Sequence, residues 1–123
     1  MNPQNLANAS LDQLVDLFAE NAIEQDRVIF KEQISKYKKV FGEMDAIDAE
    51  LKRRGPQARL ALTRLYTHSN MQVRLQAARS TLAVAPTEAR QVIEIIAKSR
   101  RFPQAGDAGM CLWNLEEGIL KPD

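Results

Sequence analysis

Behind Ser10 the apolar residues Leu11, Leu14, Val15, Phe18 and Ala22 recur every three or four positions, the spacing of one face of an α-helix. Ser10 and Gln13 stand ahead of that row in a capping-box pattern, so a first helix runs from Ser10 to about Phe30. A second stripe, Ile34, Tyr37, Phe41, Met44 and Leu51, predicts a long helix over about Gln33 to Arg54. Gly55 stops it and Pro56 supplies the first turn of the next. Shorter helices are expected at Gln57 to Tyr66, Met71 to Val84 behind an Asn70 cap, Glu88 to Ala97 after Pro86 and Thr87, and about Asp107 to Glu117, closed by Gly118. No segment alternates as a strand does. The pattern specifies an all-α chain of about six helices in antiparallel hairpins: a long pair over 10–54, a unit over 57–84 and a second over 87–118.

Length adds that this is one domain: 123 residues bury roughly two-thirds of the surface their unfolded chain exposes, and two independent cores are not expected. The 17 Lys and Arg nearly balance the 16 Asp and Glu, so whole-molecule charge points to neither a nucleic-acid binder nor an acidic tail. The distribution is uneven. Residues 1–51 hold 5 basic and 10 acidic side chains, whereas 52–101 hold 11 basic and 2 acidic, Glu88 and Glu94. Cys111 is the only cysteine, which excludes an internal disulfide and a cysteine-cluster metal site and fits a reducing compartment, so the cytoplasm is expected. Met1 to Ser10 lacks signal-peptide features and no stretch reaches the ~20 apolar residues of a membrane span.

The run Leu60-Ala61-Leu62-Thr63-Arg64-Leu65-Tyr66, a polar turn, and Val73-Arg74-Leu75-Gln76-Ala77-Ala78-Arg79-Ser80-Thr81-Leu82 resembles a HEAT repeat, whose second helix opens with Val-Arg and continues with spaced alanines. Residues 87–118 resemble a degenerate second unit, with Asp107, Leu112 and Leu115 where that pattern wants them. Over nearly its whole length, and especially in Gln104-Ala105-Gly106-Asp107-Ala108-Gly109-Met110-Cys111-Leu112-Trp113 with Glu117-Gly118 after it, the chain is similar to a family of small bacterial proteins known as a domain of unknown function. The resemblance implies a HEAT- or armadillo-like fold, and for some members an antitoxin or immunity role.

On the helix that starts near Met71, steps of about 100° place Leu75, Ala78 and Leu82 on one side of Arg74 and Val73, Ala77 and Thr81 on the other. Arg74 therefore stands in the middle of an apolar arc, where a guanidinium needs a partner. Asp107 is the first candidate, as the counterpart of the HEAT loop aspartate; Asp48, within the stripe of the second helix, is the alternative, and a ligand carboxylate or phosphate in a groove is a third. The last helix has its core row in Ala108, Cys111, Leu112 and Leu115, with Met110 and Trp113 facing the opposite way. Either the tail Ile119-Leu120-Lys121-Pro122 or the Phe102-Pro103 loop covers Trp113, or an aromatic and thioether patch is left open to a partner.

Other signals carry less. In the basic block, Arg59 and Arg64, and likewise Arg74 and Arg79, lie five apart, about 140° around a helix, and form no single cationic row. Tyr66 is the block's only aromatic, and the acidic excess upstream can neutralise it within the fold or across a dimer. His68 and Cys111 fall in different helix pairs and make no nucleophilic site; Glu43, Asp45, Asp48 and Glu50 lack the Glu-x-x-His pairing of a di-metal bundle. No phosphate loop, dinucleotide glycine pattern or nucleophile elbow occurs, so no enzyme and no cofactor are expected. The chain reads as a protein-interaction module with Trp113 and Met110 as apolar anchors and Arg79 and Arg64 as rim charges. Its expected partner is a protein, a second copy included; a nucleic-acid-binding role for residues 52–101 is the alternative.

Overall fold

The computed structural model describes residues 3–31 and 34–123. Among them the regular elements are helical throughout: α1 Pro3–Asn8, α2 Leu11–Lys31, α3 Ile34–Arg53, α4 Pro56–Leu60, a 3₁₀ segment Ala61–Thr67, α5 Met71–Ser80, α6 Pro86–Lys98 and α7 Gln104–Glu116. Among the described residues no helix is long and apolar enough to cross a membrane. The chain divides into two compact units, residues 1–61 and 62–123. That boundary falls inside the stretch Gln57 to Tyr66, expected as one helix.

In the first unit, α2 opens with the expected box: Gln13 N–H donates to Ser10 Oγ at 3.1 Å and Ser10 N–H to Gln13 Oε1 at 2.8 Å. α2 packs along α3, with Leu14, Phe18, Ala22 and Val28 buried from one helix and Val40, Met44, Ile47 and Leu51 from the other. Each fully buried Leu, Ile or Phe contributes about 1.5–3 kcal/mol relative to exposure. Gln25 is also fully buried, donating to Asn21 Oδ1 at 3.2 Å, while Asn21 Nδ2 donates to the Val40 carbonyl at 3.0 Å and ties the two helices.

The stripe expected for α3 needs correction. Its buried row is Val40, Met44, Ile47 and Leu51, and Ile34 and Tyr37 are exposed. At about 100° per residue, Phe41 and Ile34 lie well to one side of the Met44–Leu51 direction. Tyr37 instead stacks on Phe41, ring centroids 4.4 Å apart. Gln33, where this helix was expected to start, lies outside the described residues.

α1, which the sequence reading did not anticipate, packs on α3 with Leu6 buried. Gly55 has φ +100°, the region where a Cβ is penalised, and Pro56 opens α4, as the Gly-Pro pair predicts.

In the second unit, the 3₁₀ winding brings Leu62 and Leu65, both buried, onto one edge, since residues three apart eclipse there. Asn70 caps α5 as expected: its Oδ1 accepts from Gln72 N–H at 2.9 Å and Val73 N–H at 3.2 Å. α5 ends at Ser80, four residues earlier than the periodicity implies. Thr81 Oγ1 donates back to the Ala77 carbonyl at 2.8 Å, and the Val84 and Ala85 amides both turn onto the Thr81 carbonyl. α6 starts at Pro86 and α7 at Gln104, each slightly before its expected start. Leu75, Ala78 and Leu82 form one core with Ala89, Ile93 and Ile96 of α6 and Ala108 and Cys111 of α7. Gln104 Nε2 donates to Gln72 Oε1 at 2.9 Å within this buried region. α7 closes in a Schellman motif: Gly118, φ +71°, bonds the Leu115 carbonyl and Ile119 N–H bonds that of Asn114.

Candidate interaction surface

α7 buries Gln104, Ala105, Ala108 and Cys111, with Leu112 and Leu115 packed against the same core. The opposite face carries Gly106, Met110 and Trp113, which share one direction because they are four and three residues apart. Met110 is 58% exposed and Trp113 52%, and Phe102, just ahead of the helix, is 73% exposed. A Cβ built on Gly106 would stand 3.6 Å from the Phe102 ring, so Phe102 lies against the start of this face and extends it. Of the covers anticipated for Trp113, the tail sends Leu120 into the core, while Ile119 stays exposed. The Phe102 ring sits over Gly106, about two turns from Trp113.

The expected rim residues are less closely tied to this face. Arg79, exposed in the last turn of α5, is near enough to Cys111 to draw its thiol downward, the weaker of two effects. Burial is the stronger, and pushes the Cys111 thiol up, away from a reactive thiolate. Arg64 is exposed on the 3₁₀ segment.

Arg74 makes a different bond from the one expected. Its Nη1 donates to the carbonyls of His68, at 2.7 Å, and Ser69, at 3.3 Å. Side chains in a first helical turn lean toward the helix N-terminus, which carries this guanidinium back over the loop it has just left. Asp107, expected as its partner, is exposed in the first turn of α7, where the macrodipole favours a carboxylate. Asp48, the alternative, lies half-buried on α3 in the first unit.

Arg54, which the sequence reading did not single out, behaves as Arg74 does. Its Nη2 donates to the carbonyls of Leu6, Ala7 and Ala9 at 3.0, 3.2 and 2.7 Å, closing the C-terminal end of α1, and its Nε donates to Glu50 Oε2 at 2.7 Å. Arg53 holds the same carboxylate. The hydrogen bonds from Arg53 and Arg54 draw the Glu50 carboxyl down to about 2. Arg90 is paired with Glu94 and Glu116, and Arg59 is buried. Several members of the basic block are thus engaged inside the protein.

His68 Nδ1 accepts from Asn70 N–H at 3.0 Å, which makes it part of the turn that leads into α5. Among the described residues no three His, Cys, Asp or Glu side chains form a group able to hold a metal ion. Tyr66 hydroxyl is hydrogen-bonded to Thr81 Oγ1, and burial raises its pKa.

These features define an all-helical protein whose most distinctive exposed chemistry is an apolar helix face. A family model described as a domain of unknown function (DUF2019) matches residues 12–116, and the chain belongs to that family. It is also similar to the crystal structure of the protein RPA1889 from Rhodopseudomonas palustris CGA009, with a TM-score of 0.92 and 50% sequence identity over 96% of this chain and 98% of that one. None of the curated proteins matches the chain.

Proposed function

We propose that this protein is a non-enzymatic interaction module of the cytoplasm, built from HEAT-like helix hairpins, that binds another protein through the outer face of α7. The observation that carries the reading is the exposure of Trp113 and Met110 on a helix whose other face is packed into the core. Trp on a rigid helix is among the side chains that most often anchor an interface, and Met adapts its flexible, polarisable thioether to the surface it meets. Arg79 and Arg64 supply rim charge in this reading.

Two further observations favour binding over catalysis. The one thiol is buried with its pKa raised, and the one histidine is engaged in a turn. The engagement of Arg53, Arg54, Arg74 and Arg90 with carboxylates and carbonyls favours a protein partner over nucleic acid. A toxin-neutralising or immunity role is the specialisation that the family resemblance adds.

A pull-down from the native host, run in parallel with the Trp113→Ala chain, tests the reading. A specific protein retained by the parent and lost by the variant, with circular dichroism unchanged, supports it. Identical retention by both chains contradicts it.

A further inference from the structure

We infer that the outer face of α7 receives a second copy of this chain, the two α7 helices packing antiparallel about a two-fold axis near Gly109 and Met110. The inference rests on the reading of this face as a binding surface, and names what binds there.

The row runs from the Phe102 ring through Met110 to Trp113, with Gly109 the small residue beside its centre. Phe102 stands at one end against Gly106, Trp113 at the other, and a Cβ on Gly109 would meet no atom within 4 Å. From Gly106 to Trp113 the helix advances ~10 Å, so reversing one copy about the centre sets each Trp113 over the other copy's Phe102. Met110 then stands near the two-fold axis, where it packs beside the other copy's Met110 with the axes within the usual ~8–10 Å for packed helices. Such a pairing is isologous, the arrangement most homodimers use.

The charges on either side of the row select the orientation. Lys98, Arg100 and Arg101 are exposed at the Phe102 end and Glu117 at the Trp113 end, where Glu116 is already paired with Arg90. An antiparallel pair opposes basic to acidic at both ends and sets the helix dipoles head to tail, whereas a parallel pair brings like charges together twice. The chain thus carries both halves of a complementary charge pattern on one short surface. One helix face lies at the small end of specific interfaces, so the association is weak and reversible.

The test is sedimentation equilibrium from micromolar to millimolar protein. The parent is expected to move from 13.9 kDa toward twice that mass, and Trp113→Ala to weaken association about tenfold or more. Arg101→Glu and Glu117→Lys are each expected to self-associate less than the parent, because each makes both ends of its own dimer repulsive. Mixed in equal amounts, these two variants recover complementary ends and associate more tightly than either alone. Circular dichroism on every variant separates these effects from misfolding. A parent that stays monomeric throughout, a dimer indifferent to Trp113→Ala, or a mixture no tighter than its components overturns the inference. Should the parent be monomeric while Trp113→Ala still abolishes capture of a different protein, the self-pairing fails and the binding function stands.

Discussion

Arg54, the residue that follows α3, reaches Glu50 four positions back, Nε 2.7 Å from Oε2, and the pair holds the rest of the guanidinium over the carbonyls that end α1. A helix of six residues has little stability of its own, so what fixes α1 is Leu6 in the core and this arginine across its open end. Replacing Arg54 by Leu removes the bonds to three carbonyls and one of the two arginines on Glu50. The expected cost is about 2 kcal/mol, seen as a lower urea midpoint with an unchanged slope.

The same pair sets part of the acid response. Glu50 has its folded pKa lowered from 4.5 to about 2, so its contribution is complete above 4.5 and is lost as pH falls toward about 2. The parent should lose stability relative to Glu50→Gln through that window and no longer differ in slope below it. Urea midpoints of both chains at a series of pH values check this.

Arg74 makes a separate prediction, because carbonyl partners and a carboxylate partner have different mutational signatures. Arg74→Leu should cost about 1–2 kcal/mol, whereas Asp107→Asn, which removes only a favourable charge in the first turn of α7, should cost no more than about 1 kcal/mol. Strong destabilisation by both, with a large coupling between them in a double-mutant cycle, would instead restore the ion pair.

These two arginines also mark where the sequence stops being informative. The Ser10–Gln13 box, the Asn70 cap and the Gly55-Pro56 break were all readable, since each is a bond or a dihedral demand between residues within three positions of one another. Arg54 reaches carbonyls 45 to 48 residues away, and a main-chain carbonyl has no residue type by which to be recognised. The face of α3 is not fixed by spacing, because Tyr37, Phe41, Met44 and Leu51 have helical spacing as good as Val40, Met44, Ile47 and Leu51. Only the position of α2 decides between them. The end of α5 is hidden in the sequence because Leu82 continues its apolar row; Leu82 is buried, but from the turn that follows Thr81, whose hydroxyl bonds back to the Ala77 carbonyl. For α7 the two-faced pattern is legible in the sequence, and the fold adds that Trp113 and Met110 are exposed.

The caps are measurable individually. Asn70→Ala, which leaves the Gln72 and Val73 amides without their shared acceptor, should cost about 1 kcal/mol, and Asn70→Asp should retain most of it. Thermal unfolding of the three chains would show the order.

Cys111 should resist thiol reagents in the folded protein and react fully once it is unfolded, since the thiol is buried and its pKa is raised. Labelling as a function of urea should follow the unfolding curve. Rapid labelling without denaturant would mean that the α7 core face opens locally.

The central claim, that the outer face of α7 is a free apolar surface, is tested most directly by the fluorescence of Trp113, the only tryptophan in the chain. In dilute solution the account predicts emission red-shifted from that of a buried indole and readily quenched by added iodide or acrylamide, between a buried tryptophan and the urea-unfolded chain. Blue-shifted emission that quenchers scarcely reach, in a sample shown to be monomeric, would mean that Trp113 is covered by its own chain, and would contradict the account.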